Sequence, residues 1–433
     1  MVLRLSSAAA RLTFVFVAFI LATALAYSSI RDALAAYYSG LETGAGIERA
    51  AQLEPSNPEN WFLLGRYLQY NLEQPDLARA IQAYHSSLAL DPRAATVWLD
   101  LAAAYEAQGD LPAAREAYLQ AKRVYPVSAE VAWRYGNFLL RQNEVPSAFA
   151  EIRNAVSADP KRAAEALSRC WRVDPDFEAI LDNALPPTVP VYLDAIREFD
   201  SDAAIDPALA VWDRLASLHP RLPLYKIIPF TDSLLQARRL ADAHRVWDQA
   251  IALADLTPTN DPPGSVLWDG GFETGVLGGG FAWAIAPPSP GVQVTIDSSE
   301  KHSGQRSLRL GFDGRRNVNF SDVCHLAQVQ PGTSYRLSGW VRTQGLTTDQ
   351  GIRLRLEWVE NSLNASRETA DVHGTQPWTQ LMQSWTAVAN VPQVRVCVTR
   401  HPSDDMGRRI HGIAWIDDVA LVPESSPSPS AKP

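Results

Sequence analysis

The sequence predicts a multidomain α + β chain: an N-terminal transmembrane helix, an α-helical repeat solenoid and a C-terminal antiparallel β-sandwich. Three observations predict it. An uncharged, largely apolar run extends from Leu12 to Ile30. Pro55, Pro92, Pro126 and Pro160 lie 37, 34 and 34 residues apart. Beyond residue 264 the apolar residues pass from helical spacing to alternation. The 433 residues are enough for about two to four domains, and 46% hydrophobic with 20% charged residues is a globular composition. Lys and Arg number 39 and Asp and Glu 48, a net charge of −9. That balance lacks the clustered cations a nucleic acid partner requires. Three cysteines exclude a disulfide-dense scaffold, and no CxxC knuckle is present.

Arg4 and Arg11 precede the apolar run and Arg31 ends it. Its 19 residues just cover a hydrocarbon core of about 30 Å at a helical rise of about 1.5 Å. No polar stripe interrupts it, which argues against a buried globular helix. Two readings remain for residues 1–31. One is an uncleaved anchor, because the run continues into the helix-like Arg31-Asp32-Ala33-Leu34-Ala35-Ala36-Tyr37. The other is a signal peptide, cleaved after the small-x-small Ala24-Leu25-Ala26. Basic residues ahead of the segment favour N-in, C-out. On either reading the bulk of the chain is exported to the periplasmic or extracellular side, anchored in the first case and secreted in the second.

Residues 32–256 carry the repeats. Leu53-Glu54-Pro55, Leu90-Asp91-Pro92 and Ala158-Asp159-Pro160 are similar phrases. Trp98, Leu101, Ala102 and Tyr105, then Gly109, Ala114, Tyr118 and Ala121, fill one period. Trp61, Leu64 and Gly65 open the period before it; Tyr135, Gly136, Leu139, Ala148 and Ile152 fall at matching offsets in the next. Small residues stand where paired helices must approach, and proline ends each second helix because it supplies no helical N–H. This pattern resembles the tetratricopeptide repeat, which implies two antiparallel helices per 34 residues and a protein-binding scaffold. Three good repeats run from Trp61 to Pro160, after a half-unit. Weaker ones follow to about Leu256, with Trp212 and Trp247 at the second-helix aromatic position. The stretch Ala163–Pro190, with Cys170 and Pro186-Pro187, departs from the pattern. Repeat aromatics are expected in the core, and Cys170 with them.

Residues 257–264 read as a turn-rich linker. In 265–422, the segments Tyr335–Arg342, Ile352–Trp358 and Val394–Thr399 alternate as half-buried strands do. Asp269-Gly-Gly-Phe-Glu273, Ser303-Gly-Gln-Arg-Ser-Leu308, Val329-Gln-Pro-Gly-Thr-Ser-Tyr335 and Trp415-Ile-Asp-Asp-Val-Ala-Leu421 follow in order. Together they resemble the β-jelly-roll carbohydrate-binding modules appended to xylanases and cellulases. The resemblance implies glycan binding and a structural calcium held by Glu273 with Asp417 or Asp418; the competing reading is that these acids satisfy turn amides. If Leu337, Val341, Leu354, Leu356, Val394, Val396 and Val398 point inward, the opposite face carries Trp340, Arg342, Arg353, Arg355, Glu357 and Arg395. An aromatic ring beside such hydrogen-bonding groups suits a sugar, and the arginines suit an acidic one; cross-strand Arg–Glu pairs on a solvated face are the alternative. Trp358, Trp378 and Trp385 are expected in the core. Cys324 and Cys397 are candidates for a disulfide in an oxidising compartment. Asn319 and Asn364 open glycosylation-type patterns, and the Pro/Ser-rich residues 423–433 read as a disordered tail.

No GxSxG elbow, HExxH, P-loop or helix-opening GxGxxG occurs, and the histidines show no metal spacing. The expectation is a non-enzymatic, membrane-anchored envelope adaptor. Its repeats would bind a protein and its jelly roll a glycan, in assembling or exporting a bacterial surface polysaccharide. The alternatives are a purely protein-binding scaffold with a structural sandwich, and a divergent glycan-active enzyme.

Overall fold

A computed structural model describes residues 8–71, 74–201, 203–256, 261–287, 289–359, 366–388 and 392–424. Parts of the linker (257–260) and tail (425–433), and Asn364, lie outside them. The chain divides into two compact units, Met1–Glu198 and Phe199–Pro433.

The first unit is helical. Helix α1 spans Ala8–Ser39 and α2 Gly44–Leu53. Three pairs follow: α3 (Pro58–Tyr70) with α4 (Leu77–Leu90), α5 (Ala95–Gln108) with α6 (Leu111–Val124), and α7 (Ala129–Arg141) with α8 (Val145–Ala158). Then come α9 (Ala163–Val173), α10 (Phe177–Asn183) and α11 (Val189–Ser201), within which the division falls. The segment Arg11–Ser39 is long and apolar enough to cross a membrane, with a mean hydropathy of 2.0. Its apolar half is exposed, while Ala35, near its end, is fully buried.

The repeat period is visible in local chemistry. Asp76 and Asp110 each accept an N–H from the third residue on, capping α4 and α6. Trp61 and Trp98 each donate their indole N–H to the proline carbonyl six residues earlier, at 2.9 and 3.0 Å. A Cβ on Gly65 would lie 2.5 Å from the Tyr84 ring, so only glycine lets α3 and α4 approach. Gly109 ends α5 at φ 88°, the left-handed geometry that turns the chain into α6. Ion pairs tie successive repeats: Asp100, only 7% exposed, stands 3.7 Å from Arg66 and 2.7 Å from Arg134. Those arginines lie one 34-residue period before and after it.

The second unit opens with α12 (Ile205–Ser217), α13 (Ile228–Gln236) and α14 (Leu240–Ala254). Trp212 and Trp247 are buried on α12 and α14, and Trp212 donates to Gln249 at 2.6 Å. The strands are β1 (Trp283–Ile285), β2 (Val292–Asp297), β3 (Ser307–Asp313), β4 (Phe320–Gln328), β5 (Ser334–Leu346), β6 (Arg353–Trp358), β7 (Ser366–Glu368), β8 (Gly374–Thr386), β9 (Gln393–Arg400) and β10 (His411–Pro423). They form two antiparallel sheets, one ordered β1-β4-β9-β6-β7 and the other β2-β3-β10-β5-β8. Alternate residues fill the space between: Val323, Leu354, Leu356 and Val396 from the first sheet meet Leu310, Leu337, Val341 and Ile416 from the second.

Composition divides the sequence at 257–264, but contacts place the last helices with the sandwich. The reason is a set of interlocking side chains. Asp232 on α13 accepts the Gly280 N–H at 2.6 Å. Trp247 on α14 meets Trp268 edge-to-face at 5.6 Å, and His244 stacks on Phe281 at 3.8 Å. A Cβ at Gly280 would come within 2.8 Å of Trp247. Gly279 and Gly280 thus form a close-approach surface for α13 and α14.

Candidate ligand face of the sandwich

Strand alternation identifies residues that leave the core; it does not say which sheet a strand joins. That distinction divides the six candidate residues. Trp340 and Arg342 lie on β5, in the second sheet, and Arg353, Arg355, Glu357 and Arg395 lie on β6 and β9, in the first. Both sets point away from the shared core, so they occupy opposite outer faces and do not form one site. The single face expected from the sequence is corrected to two.

On the second sheet the aromatic platform is already covered. The His302 ring stacks on Trp340 at 3.9 Å and 14°. Trp378 meets the same imidazole edge-to-face at 5.7 Å. It is therefore an outer-face residue and not the core residue expected. The β5–β8 pairing loses register between Val341 and Thr343, opposite the segment that holds Trp378. Trp385 is buried in the core and Trp358 packs against it. Arg342 bonds Glu300 at 2.8 Å and lies over the Trp415 ring. Trp415 donates to Asp297 at 2.9 Å. Burial works against ionisation of Asp297, but hydrogen bonds from Ser299 and Trp415 hold its pKa down at about 2.

The outer face of the first sheet is built differently. Pairing aligns Cys324, Cys397, Arg355 and Glu368 across β4, β9, β6 and β7. On one side of this row run Leu326, Arg395, Glu357 and Ser366; on the other, Thr399 faces Arg353. Cys324 and Cys397 are joined by a disulfide between directly opposed residues, Cα atoms 4.1 Å apart. Cys170, in the repeats, is free and buried, and burial pushes its thiol up to about 12.

This outward-facing surface is not open. Cys397 is 0% and Thr399 1% exposed. Arg353 donates to Gln350 at 2.8 Å and to Glu368 at 3.4 Å. Arg355 donates to Ser321 at 2.6 Å and pairs with Glu357, which also lies 3.9 Å from Arg395. His401 meets Glu368 at 2.8 Å. Yet Arg353 Nε, Arg355 Nε and Thr399 Oγ1 are buried without a hydrogen-bond partner. Buried polar groups are nearly always satisfied, and these three exceptions stand on adjoining residues of one sheet face. Sequence reasoning missed Thr399, Glu368 and His401. Thr399 was within reach, because it shares the outward phase of Arg395. Glu368, on a three-residue strand, and His401, beyond a strand end, give no periodic signal.

Glu273, Asp417 and Asp418 converge around Gly271, where a Cβ would lie 3.7–3.8 Å from all three. Their oxygens are committed to the turn at 302–306. Asp417 accepts the His302 N–H at 2.7 Å and the Ser303 N–H at 3.2 Å. Asp418 accepts from the Ser303 hydroxyl and meets His302 Nδ1, both at 2.6 Å. Glu273 accepts the Gln305 N–H at 2.7 Å. Burial, then the neighbouring Asp418, push Asp417 up to about 7. Among the described residues no three His, Cys, Asp or Glu side chains form a group that could hold a metal ion.

The Tetratricopeptide repeat family model matches residues 71–132, so the solenoid is of that type there. Among curated proteins, the tRNA(Glu)-specific nuclease WapA of Bacillus subtilis subsp. natto is 24% identical over 202 residues, 44% of this chain and 8% of the nuclease. The general transcriptional corepressor ssn6 of Schizosaccharomyces pombe is 26% identical over 154 residues, 31% of this chain and 14% of the corepressor. The chain therefore spans only a small part of the curated relatives it matches. Among solved structures, the sandwich is similar to TmCBM61 in complex with β-1,4-galactotriose, with 20% identity, a TM-score of 0.25, and 37% of this chain and 99% of that one covered. It is also similar to a xylan-binding domain of carbohydrate-binding module family 22, at 18%, 0.27, 37% and 97%. Pseudomonas aeruginosa pilF matches at 18% identity and a TM-score of 0.31, covering 45% of this chain and 93% of its own.

Proposed function

We propose that this chain is a non-enzymatic, membrane-anchored adaptor of the cell envelope. Its tetratricopeptide repeats hold a protein partner, and its sandwich holds a glycan on the outer face of the first sheet, in assembling or exporting a bacterial surface polysaccharide. The apolar segment Arg11–Ser39 supports the anchor, and N-in, C-out insertion leaves the repeats and sandwich outside the cytoplasm. The observation that carries the glycan reading is the polar outer face of the first sheet, where Arg353, Arg355 and Glu357 are held in fixed pairs beside the half-exposed Arg395. Charged side chains locked by pairing and burial present hydrogen bonds in fixed directions, which is how a protein distinguishes hydroxyl patterns. The nuclease relatives share only 8% of their own length with this chain, so nuclease activity is not carried over.

The test is a binding screen of the full chain in detergent against neutral and acidic polysaccharides. Glycan binding should weaken at least about tenfold in Arg355→Lys, which keeps charge but loses the planar fork. It should persist in Trp340→Ala, because that ring is already covered by His302. Binding lost in Trp340→Ala and kept in Arg355→Lys would move the site to the second sheet. No binding by a folded chain across the panel would favour the purely protein-binding scaffold. Calcium has no assigned role: the thermal midpoint should be the same in calcium and in chelator, and a rise of several degrees in calcium would restore the site at Glu273, Asp417 and Asp418.

A further inference from the structure

We infer that the sandwich carries a second glycan site on its opposite face, a trough across β2, β3 and β10 that takes a short neutral saccharide between Arg309 and Asp313. It goes beyond the site proposed on the first sheet and is tested apart from it. A cavity of about 450 Å³ opens on the outer face of the second sheet. Pairing sets Gln293, Gly311 and Ile413 side by side across the three strands. Leu310 and Phe312 turn into the core, so Gly311 holds an outward position on an inner strand, where a side chain would fill the trough. The backbone does not require glycine there. Its φ lies outside the left-handed range. An added Cβ would meet no atom closer than 3.4 Å, and that atom is the flexible end of Arg309. Gly291 and Gly412 also line the cavity, but φ values of 93° and 126° account for them. Glycine inside a strand weakens it, and one without a backbone reason marks a surface kept clear for close approach.

The groups around the gap give the ligand class. Arg309 and Asp313 stand two residues to either side of Gly311 on β3, with Cα atoms about 13 Å apart at the ordinary strand rise. The terminal nitrogens of Arg309 lean over Gly311. Its ion pair is a loose 3.9 Å contact from Nε to Asp297, which Trp415 and Ser299 already bond. Among the described residues those terminal nitrogens have no hydrogen-bond partner, and the side chain is 27% exposed, so a ligand reaches them. At the other end Asp313 accepts the Arg315 N–H at 2.8 Å with one oxygen, leaving the other to a ligand. His411, opposite Asp313 on β10, closes that end. The exposed Gln293 amide adds a donor and an acceptor, and Ile413 gives an apolar floor. Donors at one end and an acceptor at the other suit hydroxyl groups, which do both. One guanidinium set against one carboxylate suits an uncharged chain. A peptide added to the edge strand β2 would pair with that strand's backbone along its length and would make no use of Gly311, one strand further in. With a glycan on each face, one sandwich would hold two strands of polymer together.

The test titrates the full chain in detergent with galactotriose, xylohexaose and cellohexaose, and with oligogalacturonate as the charged comparison. At least one neutral saccharide should bind, and Gly311→Val should weaken that binding at least about tenfold. The thermal midpoint should not fall, because a β-branched residue suits an outward strand position. Asp313→Asn keeps an acceptor for the Arg315 N–H and should weaken the same binding severalfold. Added salt should leave it nearly unchanged, as it does for an uncharged ligand. Arg355→Lys, on the first sheet, should not touch it. Neutral binding that Gly311→Val and Asp313→Asn leave intact overturns the second site; its loss in Arg355→Lys would then keep the first-sheet reading alone. Binding of oligogalacturonate only, weakened by Gly311→Val, overturns the neutral class. No binding of any of the four by a folded chain overturns the second site, and the wider polysaccharide screen decides the first independently.

Discussion

His325 lies on β4, in the inward phase with Val323 and Ala327, and is fully buried. Its Nε2 accepts the Trp268 N–H at 3.2 Å, and burial pushes its pKa down to about 4. The consequence has a sign. Above the ordinary value near 6.5 both folded and unfolded rings are neutral. As pH falls from there toward 4, the unfolded chain binds a proton that the folded chain refuses, so stability falls, by up to about 3 kcal/mol for this group. Asp417 and Asp269 work the other way. Burial raises them to about 7 and about 6, so the folded chain takes the proton first and gains stability as pH falls through the same range. The groups oppose one another, and a variant separates them. His325→Gln keeps an acceptor for Trp268 without a titrating ring. Between pH 7 and pH 4.5 the natural chain should lose up to about 3 kcal/mol more than this variant in urea unfolding; equal losses would show that His325 is solvated. The inward phase of His325 is legible in the alternation of its strand. The partner that fixes its acceptor nitrogen is not, because Trp268 lies 57 residues away.

At the scale of elements, the repeat period was readable because stacking repeats the same contacts every turn of the solenoid. Gly65, Gly109 and the prolines do what their spacing suggests. The charges that join repeats needed the structure. Asp100 is one carboxylate serving arginines on both sides. Asp100→Ala should cost about 1–3 kcal/mol, discounted for the partly exposed arginines, by leaving Arg134 and Arg66 without their common partner. Chemical unfolding of the chain measures it; Arg66→Ala, a longer and more exposed contact, should cost less. In the sandwich the strands themselves were legible from alternation. Their assignment to sheets was not, because β5 and β6 are consecutive in sequence yet belong to different layers. That one unreadable step is why Trp340 and Arg355 looked like neighbours. It also hid Trp378, whose outward position follows from an irregularity in the β5–β8 ladder.

For the whole molecule, contacts and composition divide the chain at different places. The second unit joins α12–α14 to both sheets, and Phe281 and Trp268 are covered by His244 and Trp247. A fragment beginning at Phe199 should therefore unfold in one transition. One beginning at Pro262 should melt several degrees lower and bind a hydrophobic dye, because those rings are bared; equal midpoints would make the helices dispensable. Trp247→Ala in the longer fragment should reproduce much of the loss, about 3–5 kcal/mol for a buried tryptophan. The other end of the molecule has a mechanical consequence. The helix that carries the apolar run Leu12–Ile30 continues unbroken to Ser39, and Ala35 is already packed. With the segment in a bilayer as proposed, barely more than one helical turn separates lipid from the first packed contact, about 7 Å at 1.5 Å per residue. The anchor is then a short, stiff stalk and not a leash. The repeats would be held close above the membrane with little freedom to swing, and a partner would meet them within the thin aqueous layer that borders the headgroups.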